Sequence, residues 1–316
     1  MKINEFCHYV KNHILEYMPE EYAKAEVSID TTLKNNSVLL QGLTIRREDC
    51  NIAPRLYLNN YHQDYLNGIS LEETMRSVAD EYERHSLSDK EFDVEFIKNF
   101  EKAKELITTK VVNAKQNKML AAERPSKKLD DLLVFYQVTI DSFAGGSASV
   151  PITNDLMKMW DVAMEDIHSL ALENTERLFP SVLADMGSIF CGEKVNYLSD
   201  DEYEPSDSFL VLSNEETHNG ASVLANSEIL QKVSEVIQDD YYIIPSSCHE
   251  VLIFPKEVAK EMQMTPKELG AMVREVNVTQ VDKEDRLSDH IYSFDRDKKV
   301  LETCKESMAR TLDVER

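Results

Sequence analysis

Asp239 to Pro255 reads DDYYIIPSSCHEVLIFP, two apolar runs broken by a short polar turn, and the rest of the architecture is built outward from it. Tyr241, Tyr242, Ile243 and Ile244 are β-formers in a continuous apolar run, the pattern of a strand covered on both faces. Pro245 removes a backbone donor, and Ser246 and Ser247 supply turn chemistry. In the return run, alternation places Cys248, Glu250, Leu252 and Phe254 on one face and His249, Val251 and Ile253 on the other. The expectation is a hairpin at the centre of a sheet, with His249 and Glu250 near its tip.

Composition narrows the class. A chain of 316 residues with 42% hydrophobic content can bury a substantial core, and its length suits two domains or one large one. No uninterrupted apolar run approaches the roughly 18 residues of a membrane span. The opening MKINEFCHYVKNHILEYM lacks the apolar core and small-residue cleavage site of a secretory signal, so a cytoplasmic location without membrane contact is expected. Cys7, Cys50, Cys191, Cys248 and Cys304 are widely spaced and odd in number, indicating neither a disulfide framework nor a zinc set. The net charge of −23, from 58 acidic against 35 basic residues, argues against general nucleic-acid binding, which needs a basic surface. Acidity serves solubility; the sharper alternative is an acidic mimic of nucleic acid.

In chain order, Phe6, Val10, Ile14 and Tyr17 mark an amphipathic helix over Ile3 to Met18. Ala25 to Leu33 and Ser37 to Arg46 read as paired strands, and Arg55 to Leu58 as a third. Two helices follow, the second capped by Ser70 with Glu73 completing a capping box. Residues 1–113 thus form an N-terminal α+β lobe. The polar, basic segment 114–128 (AKQNKMLAAERPSKK) is the expected boundary, and 129–316 form a C-terminal α+β lobe of mixed or antiparallel strands with packed helices. Gly145 and Gly146 lack the spacing of a phosphate loop, and the acidic stretch around Asp200, Asp201, Glu202, Glu204 and Asp207 lacks that of a calcium loop. The C-terminal lobe also contains an internal echo. Val150 and Ile152 align at a constant offset with Leu252 and Phe254, Trp160 with Met262, and Ile167 with Leu269, giving two copies of strand, short helix, longer helix in a degenerate duplication. His290 to Phe294 and Lys299 to Glu302 read as a terminal hairpin.

The chemistry candidates cluster at the central turn. His249 and Glu250 begin like the zinc motif HExxH, but position 253 is Ile and the segment is a strand, whereas that motif needs both histidines on one helical turn. Ser246 or Ser247 with His249 resembles a nucleophile and its base, without the GxSxG elbow. Cys248 is expected in the core, facing away from His249. Asn174 and Asn277, on or beside apolar helix faces, either bond backbone or bind a ligand; Arg46 and Arg55 are candidates for an anion-binding face. No cofactor and no metal set is expected.

Five segments together carry a resemblance: LQGLTIRREDCNIAPRLYLNNYHQDYLNG, MWDVAMEDIHSLALENTERLFP, YYIIPSSCHEVLIFP, MVREVNVTQV and LSDHIYSFDRD. As a set they resemble the bacterial family catalogued as domain of unknown function 5688, over nearly the whole chain. The PSSxHE hairpin and the Trp160 to Asn174 helix are distantly similar to domain of unknown function 1444. The resemblance implies a bacterial, cytoplasmic module with no assigned activity. The reading is an α+β protein in two lobes, a non-enzymatic binding or regulatory module for an unknown protein or small-molecule partner. The alternative is a hydrolase-like enzyme with Ser246, Ser247, His249 and Glu250 around a pocket at the Pro245–Glu250 turn.

Overall fold

The structure, a computed structural model, describes residues 1–48, 50, 53–85, 94–143, 146–199, 203 and 209–305. The fold is α+β and divides into two compact units at Val94 and Glu95.

In the first unit, the helix Ile3–His13 buries Phe6, Cys7 and Val10, the face its apolar spacing marks out. Strands β1 (Glu26–Leu33) and β2 (Leu39–Arg46) form an antiparallel hairpin, and β3 (Leu56–Tyr57) adds to β2. The turn between β1 and β2 holds buried Asn36 at φ 55°, a left-handed conformation that asparagine tolerates. The helix Leu71–Arg84 starts as its capping box dictates: Ser70 accepts from the Glu73 amide, and Glu73 reaches back. Its buried Tyr82 hydroxyl accepts the Ile45 amide at 2.6 Å, tying the helix to β2.

The second unit contains two sheets. In one, β4 (Ile107–Asn113) pairs with β6 (Leu132–Phe143), which also pairs with β5 (Ser126–Leu129) and β7 (Gly146–Pro151). Since β4 and β5 both lie on β6, and the Ala114 amide bonds to the Asp131 carbonyl at 3.0 Å, residues 114–128 connect strands of one sheet. The expected boundary there is therefore corrected to Val94 and Glu95. The second sheet runs β13 (Val300–Thr303), β12 (Tyr292–Asp295), β10 (Tyr241–Pro245), β11 (Val251–Pro255), β9 (Leu210–Asn214), β8 (Ser181–Asp185), with every neighbour antiparallel. β9 and β10 both flank β11, so they run parallel to each other, and the helix Ser227–Ile237 makes the crossover.

The β10–β11 hairpin is buried on both faces. Tyr241, Ile243, Val251 and Ile253 enter the main core, while Ile244 and Phe254 enter a smaller one with Leu269 and Val273. Each such side chain contributes roughly 1.5–3 kcal/mol on burial. The echo appears as matching element order. β7 precedes helices Asn154–Trp160 and Met164–Leu178; β11 precedes helices Lys256–Glu261 and Pro266–Thr279. Both longer helices bury an asparagine near their C-terminal end, Asn174 and Asn277. Trp160, the anchor of the first copy, donates its indole N–H to the Ile97 carbonyl at 3.0 Å. Gly145 and most of the acidic stretch (Asp200, Asp201, Glu202, Glu204, Asp207) lie outside the described residues. Among the described residues, no helix is long and apolar enough to cross a membrane.

The two sheets are joined by the β5–β6 turn. Asp131 receives Tyr292 Oη at 2.5 Å, Ser288 Oγ at 3.0 Å and His290 Nδ1 at 3.0 Å. Burial pushes the Asp131 carboxyl up, but its bonds to His290, Tyr292 and Ser288 outweigh that and leave it lowered. Asp131 in turn raises His290 against its own burial. His290 therefore stabilises the fold below its free pKa of 6.5, and this is lost as pH rises through the raised value. Asp131 stabilises above its free 3.8, and this is lost as pH falls through the lowered value. The loss of stability on Asp131→Asn, roughly 1–3 kcal/mol, should be greatest between pH 3.8 and 6.5, read as the difference in denaturation midpoint from wild type across pH.

Candidate functional site

The ladder between β10 and β11 ends at Pro245 opposite Val251, so residues 246–250 form a loop at the hairpin tip. The loop folds on itself: Ser247 donates its amide to the Glu250 carbonyl at 3.1 Å, and the His249 amide donates to Ser247 Oγ at 3.0 Å. Ser246 Oγ donates to Glu250 Oε1 at 3.0 Å. The alternation expected from Cys248 onward is corrected here. Strand geometry begins only at Val251, and in the loop Cys248 and His249 converge on one carboxylate oxygen. Asp285 Oδ1 lies 3.5 Å from Cys248 Sγ and 3.3 Å from His249 Nε2.

Backbone bonds hold this cluster. Cys248 donates its amide to the Asp285 carbonyl at 2.7 Å, and its own carbonyl accepts from Ala221 at 3.3 Å. Ser213 Oγ, on β9, donates to the His249 carbonyl at 2.8 Å. Cys248 is buried, as expected, but it touches a carboxylate rather than apolar neighbours alone; the His249 and Asp285 side chains are 30% and 35% exposed, so the cluster opens to solvent on one side.

The His249 ring is addressed at both nitrogens. Asn219 donates its backbone N–H to Nδ1 at 3.2 Å, which leaves the ring proton on Nε2, facing Asp285. Asp285, and next Cys248, raise the proton affinity of His249 above the ordinary histidine value, with burial opposing. His249 lowers Asp285 in return. The His218 ring lies 5.1 Å from that of His249 and is held down to about 4 by burial, then by the charges of His249 and Lys110, so it is neutral at ordinary pH. Asn219, at φ 53° and 9% exposed, leaves its side-chain Oδ1 buried with no hydrogen-bond partner.

The other candidates sit elsewhere. Asn174 Nδ2 donates to the carbonyls of Lys104 at 2.8 Å and Ile107 at 3.0 Å, and its Oδ1 accepts from Arg177 at 2.9 Å. Asn277 Nδ2 donates to the Ser288 carbonyl and to Asp289 Oδ1, both at 2.9 Å. Both amides are engaged in holding backbone. Arg46 pairs with Glu26, and Arg55 lies 3.8 Å from Asp30 and 3.1 Å from Thr32 Oγ1, so β1 supplies an acidic counterpart to each. Asp285 and Asn219 escape a sequence reading because they lie far from His249 along the chain with no spacing motif to mark them. Alongside the cluster, two recesses of about 10 Å³ each, lined by hydroxyls and amides including Thr109, Asn214 and Ser222, have room for a water apiece. A wider cleft of about 560 Å³ opens between Leu172, Glu176 and Asn226.

A family model described as "Family of unknown function (DUF5688)" matches residues 3–296. No curated protein and no solved structure matches the chain.

Gly220 keeps the tip seated on β9. A Cβ at this position would collide with Ser213 Oγ and with the His249 carbonyl oxygen, both of which are fixed by their mutual hydrogen bond. Gly220→Ala should break that bond and destabilise the protein by roughly 1–3 kcal/mol, read as a lower urea midpoint.

Proposed function

The chain belongs to the DUF5688 family, a family of unknown function, and from that premise we propose that it is a binding or regulatory module whose ligand is taken at the tip of the β10–β11 hairpin. The observation that carries this reading is the engagement of the His249 ring. Its hydrogen bonds go to the Asn219 amide and to Asp285, while Ser246 is committed to Glu250 and Ser247 accepts the amide of His249 itself. A serine hydrolase needs a hydroxyl against an imidazole nitrogen, and the hydrolase alternative lacks that contact. What the tip offers instead is a set of donor atoms, Cys248 Sγ, His249 Nε2 and Asp285 Oδ1, open to solvent on one side.

Charge and redox state favour the same reading. A chain at −23 attracts cationic ligands and repels nucleic-acid phosphates. Five free cysteines suit a reducing compartment, which we take to be the cytoplasm. The test compares wild type with a Ser246→Ala, Ser247→Ala double variant on chromogenic esters, amides, phosphates and glycosides, and by native mass spectrometry. The expected result is no turnover that depends on the serines, with a bound species retained by both proteins. Turnover present in wild type and lost in the double variant overturns the proposal.

A further inference from the structure

We infer that Cys248, His249 and Asp285 form a binding site for a zinc-like divalent cation, with Asn219 as the residue that sets the histidine tautomer. The inference rests on reading the hairpin tip as a binding site and names its ligand class. One thiol, one imidazole and one carboxylate suit a borderline-soft ion such as Zn²⁺ and disfavour calcium or magnesium, which take oxygen ligands.

The geometry has the right scale. Tetrahedral bonds of roughly 2.0 Å to oxygen and nitrogen and 2.3 Å to sulfur give ligand-to-ligand edges of about 3.3 Å for oxygen to nitrogen and about 3.5 Å for oxygen to sulfur. Asp285 Oδ1 lies 3.3 Å from His249 Nε2 and 3.5 Å from Cys248 Sγ, and all three donor atoms lie within 4.8 Å of one another. The loop is already arranged by its backbone bonds to Asp285 and Ala221, so loading needs little reorganisation. With three protein ligands and one side open to solvent, the fourth position falls to water or to a donor atom from a partner.

Loading requires two proton movements. The Cys248 thiol, which donates to Asp285 Oδ1, gives up its proton to solvent and binds as the thiolate. The His249 ring gives up its Nε2 proton and binds as the neutral imidazole with its proton on Nδ1. That new Nδ1–H then needs an acceptor where the Asn219 amide now donates. Asn219 itself carries one, the buried Oδ1 without a partner, and turning it onto Nδ1–H would supply the outer hydrogen bond that metal-bound histidines use.

The experiment uses the full chain, stripped with chelator and reduced, titrated with Zn²⁺ against a chromogenic competitor and with Co²⁺ by absorption. One ion per chain is expected, with a thiolate-to-Co²⁺ band in the near ultraviolet. Cys248→Ser should abolish the band, and Asp285→Asn should weaken Zn²⁺ at least tenfold, both remaining folded by circular dichroism. Cys191→Ser, which alters an exposed thiol away from the tip, should change neither. Asn219→Gly tolerates the positive φ and removes the side-chain amide that carries the acceptor; it should keep the band while weakening Zn²⁺ by about 10–100-fold. No stoichiometric ion, or a band that survives Cys248→Ser, overturns the inference. Should Cys248→Ser unfold the chain, Asp285→Asn decides alone: wild-type affinity in that variant overturns the site. Absence of Zn²⁺ binding alongside a different retained ligand would sink only the metal, whereas serine-dependent turnover would sink the binding-module reading itself.

Discussion

The constraint that organises the second unit is double-sided burial of β10 and β11. A strand covered on both faces has no polar side to present, so the polar residues of this hairpin are pushed past its last ladder pair, Pro245 and Val251. Beyond that pair the chain still carries backbone groups and five side chains at the margin of a core, and they must be satisfied locally. Ser246, Ser247 and Glu250 do so within the loop; Cys248 and His249 do so through Asp285, Asn219 and Ser213. The concentration of chemistry at the tip is thus a consequence of how thoroughly the strands below it are covered.

The same accounting explains the buried asparagines. Asn174 and Asn277 each sit near the end of a long helix and donate to a carbonyl at or shortly before the start of a strand, Ile107 of β4 and Ser288 ahead of β12. A leucine in either place would fill the space and leave the carbonyl unpaired, at a cost of roughly 1–3 kcal/mol. The equivalence between the two segments therefore extends from element order to the way the helix is fastened to the sheet. The flanking strand precedes the hairpin in one case and follows it in the other.

Much of the fold was legible because its signals are local. The hairpin at Tyr241 to Pro255, the terminal hairpin, the Ser70 capping box and the apolar face of the first helix each depend on residues a few positions apart. The boundary was not, since the polarity of 114–128 reports only solvent exposure, while its place within one sheet depends on β4 meeting β6 beyond it. The site was half legible. His249 and Glu250 stand out in the sequence, but alternation carried back to Cys248 overruns the strand by three residues and separates Cys248 from His249. Asp285 and Asn219 reach the ring only through tertiary packing, which no spacing rule records.

The Asp130–Asp131 turn bears on the order in which the protein is made. Asp131 is half-enclosed by the second unit, yet its three hydrogen-bond donors, Ser288, His290 and Tyr292, follow it by 157, 159 and 161 residues. Asp130 waits still longer, since its carboxylate holds the Thr303 amide 173 residues on. On the ribosome, β5 and β6 emerge with these carboxylates hydrated, and neither can dock until the β12–β13 hairpin has left the exit tunnel. Closure of the second unit therefore waits for partners 157 to 173 residues downstream, with a loop-closure entropy that nearer contacts do not have to meet.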